Sequence, residues 1–246
     1  MRLDQMLFSQ GFGTRRVCAG LIEQGWVRVD GQVCTAPDED VDTRAAELRY
    51  SVQGTDWVYR ERAYLMLHKP AGYECSHRPG AWPSVYTLLP APLRQRPPHT
   101  KSSAKIVGVQ AVGRLDQDTT GLLLLSDDGA FIHRMNSPKH HVPKVYEVQT
   151  RHPLDAQQLQ RLTSGVVLDD DPKPVAAAGA VAVGDHHLRL TLTEGKYHQV
   201  KRMVAAVGNR VDGLHRSRIG GLALPDDLAP GQWRWLSADD LVALSP

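Results

Sequence analysis

The chain has 246 residues, is 41% hydrophobic and 23% charged, and carries a formal net charge of +2. That length holds one large domain or a medium and a small one, and the composition is ordinary for a soluble globular protein. It has no run of about 18 apolar residues to form a membrane span, no apolar secretory core behind Met1-Arg2-Leu3-Asp4-Gln5, and no CxxC among its three dispersed cysteines, which argues against a disulfide framework or thiolate zinc site and fits a reducing cytoplasm.

Residues 2 to 10 place Leu3, Met6 and Leu7 at helical spacing, and Gly11-Phe12-Gly13 breaks that helix. Thr14 is a predicted N-cap for a second helix, with Val17, Leu21 and Ile22 inward and Gly25 at its end. Trp26 to Val29 and Gln32-Val33 read as two strands around an Asp30-Gly31 turn. This small helix-turn-helix-hairpin module puts Arg15 and Arg16 in a first helical turn and Arg28 on a strand. A weak strand follows near Leu48 to Val52, and Gln53-Gly54-Thr55 reads as a linker. A second domain is expected from about residue 60.

There, Tyr64 to His68 reads as a strand, and residues 90 to 110, rich in Pro, Lys and Ser, as an exposed loop. Leu122 to Leu125 is the continuous apolar run of a strand buried on both faces. Val145 to Thr150 and Leu188 to Thr193 alternate, as half-covered strands do. Val200, Met203, Val204 and Val207 form one helix face closed by Gly208. Strands and helices mix without a regular βαβ period, which predicts an α+β domain with a mostly antiparallel sheet.

The net charge says little about partners, but its distribution says more. Residues 189 to 218 hold seven cations against Glu194 and Asp212, and residues 133 to 146 hold Arg134, Lys139, Lys144 and three histidines with no acid. Such stretches suit a polyanion such as RNA, although any one of them alone reads first as an ordinary solvated surface. Gly11-Phe12-Gly13 is not a dinucleotide loop, because it follows a helix and Arg16 stands where the third glycine belongs. His133, His140 and His141 match no metal-ligand spacing, so solvated or RNA-facing histidines are expected and no metal. Asp116 and Asp118 could chelate a cation, form an acid/base pair, or simply make a turn. Gly113 and Gly121 beside them would let backbone approach a ligand closely. In Glu194 to Met203, Lys201 adjoins the buried helix face and calls for an anionic partner.

Together, Gly113-Arg114-Leu115-Asp116-Gln117-Asp118-Thr119-Thr120-Gly121-Leu122 resembles the signature loop of the RsuA-type bacterial rRNA pseudouridine synthases. Met66 to Gly72, Ser137-Pro138-Lys139-His140-His141, Lys144-Val145-Tyr146, Glu194 to Met203 and Leu214 to Leu222 resemble further blocks of that family, in its order. Residues 1 to about 50 resemble its S4 RNA-binding module. The resemblance implies an S4-like domain over 1–55, a pseudouridine synthase domain over 60–246, and isomerisation of uridine in ribosomal RNA or a pre-ribosomal particle. The Asp-Thr-Thr-Gly loop, the paired histidines and Gln199-Val200-Lys201-Arg202-Met203 resemble members acting on small-subunit (16S) rRNA. The loop around Pro97 to Gln110 is longer than the family pattern implies.

The resemblance also implies Asp116 as the catalytic carboxylate, acting as nucleophile or base, Lys201 as its basic partner, and Tyr146 as the aromatic that stacks on the target base. No cofactor is implied, since the reaction is an isomerisation. RNA contacts are expected from Arg114, Lys139, Lys144, Lys196, His198, Arg202, Arg216 and Arg218, and from Arg15, Arg16 and Arg28 in the S4-like module. The target uridine must leave its stack to be reached. A cytoplasmic monomer is expected, with no apolar stripe left over once a core is built. Three other readings remain: the same chemistry on large-subunit (23S) rRNA, a non-catalytic RNA-binding ribosome-assembly factor, and a carboxylate-dependent sugar hydrolase using Asp118 as its second acid.

Overall fold

The computed structural model of the chain describes residues 1–44, 47–98, 107–169 and 171–244. The chain divides into two compact units. One comprises Met1–Ala63, Leu89–Gln110 and Ser126–Gly129, and the other Tyr64–Leu88, Ala111–Leu125 and Ala130–Pro246. Among the described residues no helix is long and apolar enough to cross a membrane.

In the first unit, helices Leu3–Ser9 and Arg15–Glu23 pack with a four-stranded sheet. The Thr14 hydroxyl accepts the Val17 amide at 3.3 Å and starts the second helix. Cys18 and Ile22, four residues apart on one face, enter the core with Leu3, Met6 and Val27. Val17, expected inside, is half exposed, because the capped first turn aims the Cys18–Ile22 row inward and Val17 out. Asp30 and Gly31 have φ of 46° and 83° and join Val27–Val29 to Gln32–Cys34, the paired left-handed residues of a type I′ turn. The supposed linker is a second such turn. Gln53 and Gly54, with φ of 51° and 79°, connect Arg49–Val52 to its antiparallel partner Thr55–Val58.

The 90–110 stretch also departs from expectation. It contains the helix Ala91–Gln95, with Leu93 and Arg96 buried. Arg96 tolerates burial because its guanidinium donates to the Asp127 carboxylate, to Gln10 Oε1, and to the carbonyls of Arg60 and Glu61. Most of the lengthened loop, residues 99–106, lies outside the described residues.

The second unit is built on a mixed sheet whose main path runs Gly179–Gly184, His187–Leu192, Lys144–Thr150, Val211–Ile219, Thr120–Ser126, Tyr64–Lys69, Trp233–Trp235. Val211–Ile219 lies antiparallel to Lys144–Thr150 and parallel to Thr120–Ser126. Leu122 to Leu125 are wholly buried, as the apolar run predicts. Val148, Leu188, Leu190 and Leu192 pack under the helix Gln199–Ala206 through Val200, Met203 and Val204. Leu122 and Leu124 pack instead with Met66, Phe131 and Met135. The fold is the expected α+β type, with antiparallel pairing prominent and Val211–Ile219 parallel to Thr120–Ser126 within the sheet. Gly121 has φ of 109°, and a Cβ there would lie 2.3 Å from the Arg216 carbonyl oxygen. Its small size therefore serves the close approach of two strands, where the sequence suggested the approach of a ligand.

Candidate active site

The Asp116 loop leads into the Thr120–Ser126 strand at the centre of this sheet. Its shape is set from beneath by Lys69, the last residue of Tyr64–Lys69, which has no exposed surface. The Lys69 ammonium donates to the carbonyls of Asp116 at 2.9 Å, Gln117 at 3.3 Å and Thr119 at 2.8 Å, and to Pro70. Burial pushes this ammonium below its ordinary pKa, while Cys75, Asp118 and Asp116 oppose the shift. The Gly72 amide adds a bond to the Gln117 carbonyl at 2.7 Å. With its carbonyls tied inward, the loop leaves the Asp116 carboxylate about a third exposed.

Two side chains from one segment meet that carboxylate. Lys201 Nζ lies 3.2 Å from Asp116 Oδ2, and His198 Nε2 lies 3.3 Å from Asp116 Oδ1. Lys201 also donates to both oxygens of Asp118, at 2.7 and 2.9 Å. Partial burial works against the charged form of Asp118, but the bond to Lys201 outweighs it and holds its carboxyl below the ordinary value. For Lys201, burial is likewise outweighed by Asp118 and Asp116, and its pKa is raised. One ammonium thus serves two carboxylates, the anionic partnership that its position beside Val200 called for.

His198 precedes the helix Gln199–Ala206 with φ of 47°. A left-handed non-glycine residue costs on the order of 1–3 kcal/mol and is kept where the surroundings enforce it. Here Gln199 does so. Its Oε1 accepts the Lys196 amide at 2.8 Å and its Nε2 donates to Glu194 at 3.1 Å. Tyr197, largely exposed, stacks on His198 with ring centroids 3.8 Å apart.

These groups surround a cavity of about 340 Å³. Of the sequence-predicted residues, Asp116, Tyr146, Lys201, Arg114, Lys144, Lys196, His198 and Arg216 line it. Lys139, Arg202 and Arg218 do not. Lys139 and Arg218 are exposed, and Arg202 donates to the Tyr197 carbonyl at 3.2 Å. Arg15, Arg16 and Arg28 are exposed in the first unit. Arg15 lies over the Phe8 ring, and Arg28 donates to the Gly31 carbonyl.

Arg216, expected among the surface cations, is instead only 2% exposed. Its position in the register opposite Tyr146 accounts for this. Its Nε donates to the Leu122 carbonyl at 2.8 Å, and its Nη2 is buried without a partner among the described residues. A buried donor left so costs about 1–3 kcal/mol. Burial, and then the charge of Arg216, push the Lys144 ammonium down to about 8. Sequence reasoning missed Lys69 and Gln199 as supports. Their only signals were their places in Leu67-His68-Lys69-Pro70 and Tyr197-His198-Gln199-Val200.

The arrangement presents the partly exposed Asp116 carboxylate with a cation and an imidazole against it, the Tyr146 side chain, and a basic, partly apolar chamber. That equipment suits attack on, or proton removal from, an electron-poor carbon of a flat polar ligand.

Comparison with known proteins agrees. Residues 63–206 match the family model described as RNA pseudouridylate synthase, and residues 1–45 match the S4 domain. A ribosomal small subunit pseudouridine synthase A of Pasteurella multocida is 38% identical over all of both chains. Its namesake in Escherichia coli is 37% identical over 99% of this chain and 100% of its own. A crystal structure of a pseudouridylate synthase aligns over 99% of both chains with a TM-score of 0.65 and 32% identity.

Proposed function

Because the chain belongs to the RNA pseudouridylate synthase family and carries an S4 domain at its start, we propose that it converts a specific uridine of small-subunit ribosomal RNA to pseudouridine, with Asp116 as the catalytic carboxylate. The observation that carries this reading is the placement of Asp116. It lines the cavity with its carboxylate about a third exposed and within 3.3 Å of both Lys201 and His198.

The reaction breaks the N1–C1′ bond, turns the uracil, joins C5 to C1′, and exchanges the C5 proton for one on N1. Atoms balance within the nucleotide, so no redox partner or energy source enters. Asp116 starts the sequence either as a nucleophile toward the sugar or the base, or by taking a proton from the sugar. Lys201, anchored by Asp118, holds the carboxylate in place and stabilises its charge. Tyr146 offers its ring to the uracil that has left its stack.

Arg114 and Lys196 at the cavity, and Lys139, Arg202 and Arg218 outside it, supply phosphate contacts. Arg15, Arg16 and Arg28 add a second RNA contact, and tethering raises its effective concentration. The protein acts as a cytoplasmic monomer on the RNA or on an assembling particle. Names of relatives at 37 to 38% identity support the small-subunit target.

The test is a map of pseudouridine in both ribosomal RNAs of a deletion strain, with and without the gene restored. One small-subunit position should lose its pseudouridine, and restoration with Asp116→Asn should not recover it. Loss only in the large-subunit RNA would refute the target, and unchanged maps would refute the function.

A further inference from the structure

Arg216 lines the cavity that holds Asp116, yet among the described residues only its Nε–H has an acceptor, and Nη2 is shut off from solvent with none. Buried polar groups in folded proteins are almost always paired. A buried guanidinium left partly unpaired in a substrate cavity calls for an acceptor that arrives with the ligand. Arg216 stands opposite Tyr146 in the strand register, and Lys144 lies two residues before Tyr146, on the same face of its strand. The Lys144 ammonium donates to the Val142 carbonyl at 3.2 Å. Among the described residues, no ion pair or hydrogen bond joins either cation to a carboxylate. Two cations held together in a partly dry chamber form a preorganised positive site, and burial with Arg216 nearby has already lowered the Lys144 pKa.

We propose that Arg216, with Lys144 beside it, binds a carbonyl oxygen of the target uracil and stabilises the negative charge that builds on the base during isomerisation. The proposal rests on the uridine-isomerising reading and deepens it. Every route open to Asp116 places charge on a uracil carbonyl. Attack at C1′ sends the N1–C1′ electron pair onto N1 and, by resonance, onto O2 and O4. Proton removal from C2′ with loss of the base does the same. Attack at C6 of the ring sends the C5–C6 pair toward O4. In each route C5 then bonds C1′: it displaces Asp116 from C1′, or adds to the eliminated sugar as Asp116 returns the C2′ proton, or, after addition at C6, replaces the N1–C1′ bond before Asp116 is expelled from C6; the C5 proton leaves and N1 takes one up. A backbone phosphate fits this site poorly, because seating an anion against the enclosed Nη2 costs far more desolvation than seating a neutral uracil carbonyl.

The experiment uses the full chain and a small-subunit rRNA fragment whose modified uridine has been mapped. That uridine is prepared as itself, as 2-thiouridine and as 4-thiouridine, sulfur being a weak acceptor. Single-turnover rates and Kd are measured for wild type, Arg216→Gln and Lys144→Met. One of the two thio-RNAs should react at least about tenfold more slowly with wild type at similar Kd. Arg216→Gln should lower the rate about a hundredfold, with Kd within about twofold, and should no longer distinguish that thio-RNA from uridine, the non-additivity expected of interacting groups. Lys144→Met should show a smaller loss of the same kind.

Equal wild-type rates on all three RNAs would overturn the proposal, and would do so even if Arg216→Gln failed to fold. A variant that loses affinity and salt dependence while keeping its single-turnover rate would make Arg216 a phosphate contact and overturn it too. Failure of the parent reading looks different, since wild type would then make no pseudouridine from the unmodified fragment.

Discussion

Two buried arginines, one in each unit, show how differently this chain treats the same side chain. Arg96 is 1% exposed and meets the Asp127 carboxylate, Gln10 Oε1 and the carbonyls of Arg60 and Glu61. Arg216 is 2% exposed and holds one carbonyl, with Nη2 unpaired. Burying a charge is costly unless it is paired and hydrogen-bonded. Arg96 therefore has the marks of a clamp whose interactions are complete in the folded protein. Arg216 has those of a group kept partly unsatisfied for a ligand. The contrast teaches that burial alone does not assign a role; the count of unmet donors does.

The largest effect on stability should follow from breaking the satisfied site. Arg96→Ala removes a buried guanidinium bonded to Asp127, Gln10 and two carbonyls, and should lower unfolding free energy by about 3–5 kcal/mol, read as a shift of the urea midpoint. An unshifted midpoint would erase the distinction between the two arginines.

Lys69→Met should act on both stability and rate. Losing its charged hydrogen bonds to buried carbonyls costs about 1–3 kcal/mol. The loosened Asp116 loop should cost roughly a hundredfold in single-turnover rate, since small misplacements are that expensive in catalysis. A rate loss no greater than the loss of folded protein would make Lys69 purely structural.

Asp118→Asn should change stability by less than about 1 kcal/mol, because its pair with Lys201 is half exposed. The rate should fall several-fold, as Lys201 loses one of its two anchors. A rate equal to wild type would leave Asp118 without a part in the site.

The smallest effect concerns pH. Lys144 is charged below about 8 and neutral above it. If its charge assists the reaction, the rate should decline as pH rises through 8, and Lys144→Met should flatten that limb. The stability effect has the opposite sense. The folded pKa lies below the unfolded value of 10.5, so the unfolded chain binds more protons between 8 and 10.5, and stability from this group rises with pH across that window. Chemical denaturation at pH 7.5, 9 and 10.5 reads it directly, with Lys144→Met as the control.

Much of the site was legible because its signals are local. Thr14 caps its helix, Asp30-Gly31 turns its hairpin, and Leu122 to Leu125 announce a buried strand, each from a few adjacent residues. Asp116, Tyr146 and Lys201 were legible through motif order, and they line one cavity. What the sequence hid was set by partners distant along the chain. Lys69 finds carbonyls about fifty positions away, and Arg96 is drawn inside by Gln10, Arg60, Glu61 and Asp127. The Pro-rich stretch around Arg96 has no apolar period to betray a buried residue. Val211–Ile219 is masked as a strand by the polar His215, Arg216 and Arg218, of which His215 meets the Thr120 hydroxyl, Arg216 lines the cavity and Arg218 is exposed. Gln53-Gly54 looked like a linker because a tight turn and a linker use the same residues.

The most direct test of the central claim is to incubate purified wild type and Asp116→Ala with bacterial small-subunit rRNA, or the corresponding pre-ribosomal particle, and to quantify pseudouridine at single-nucleotide resolution. Wild type should modify one specific uridine. Asp116→Ala, with an unchanged melting profile and RNA affinity, should give no pseudouridine above background. Pseudouridine accumulating with Asp116→Ala would contradict the assignment of Asp116 as the catalytic carboxylate.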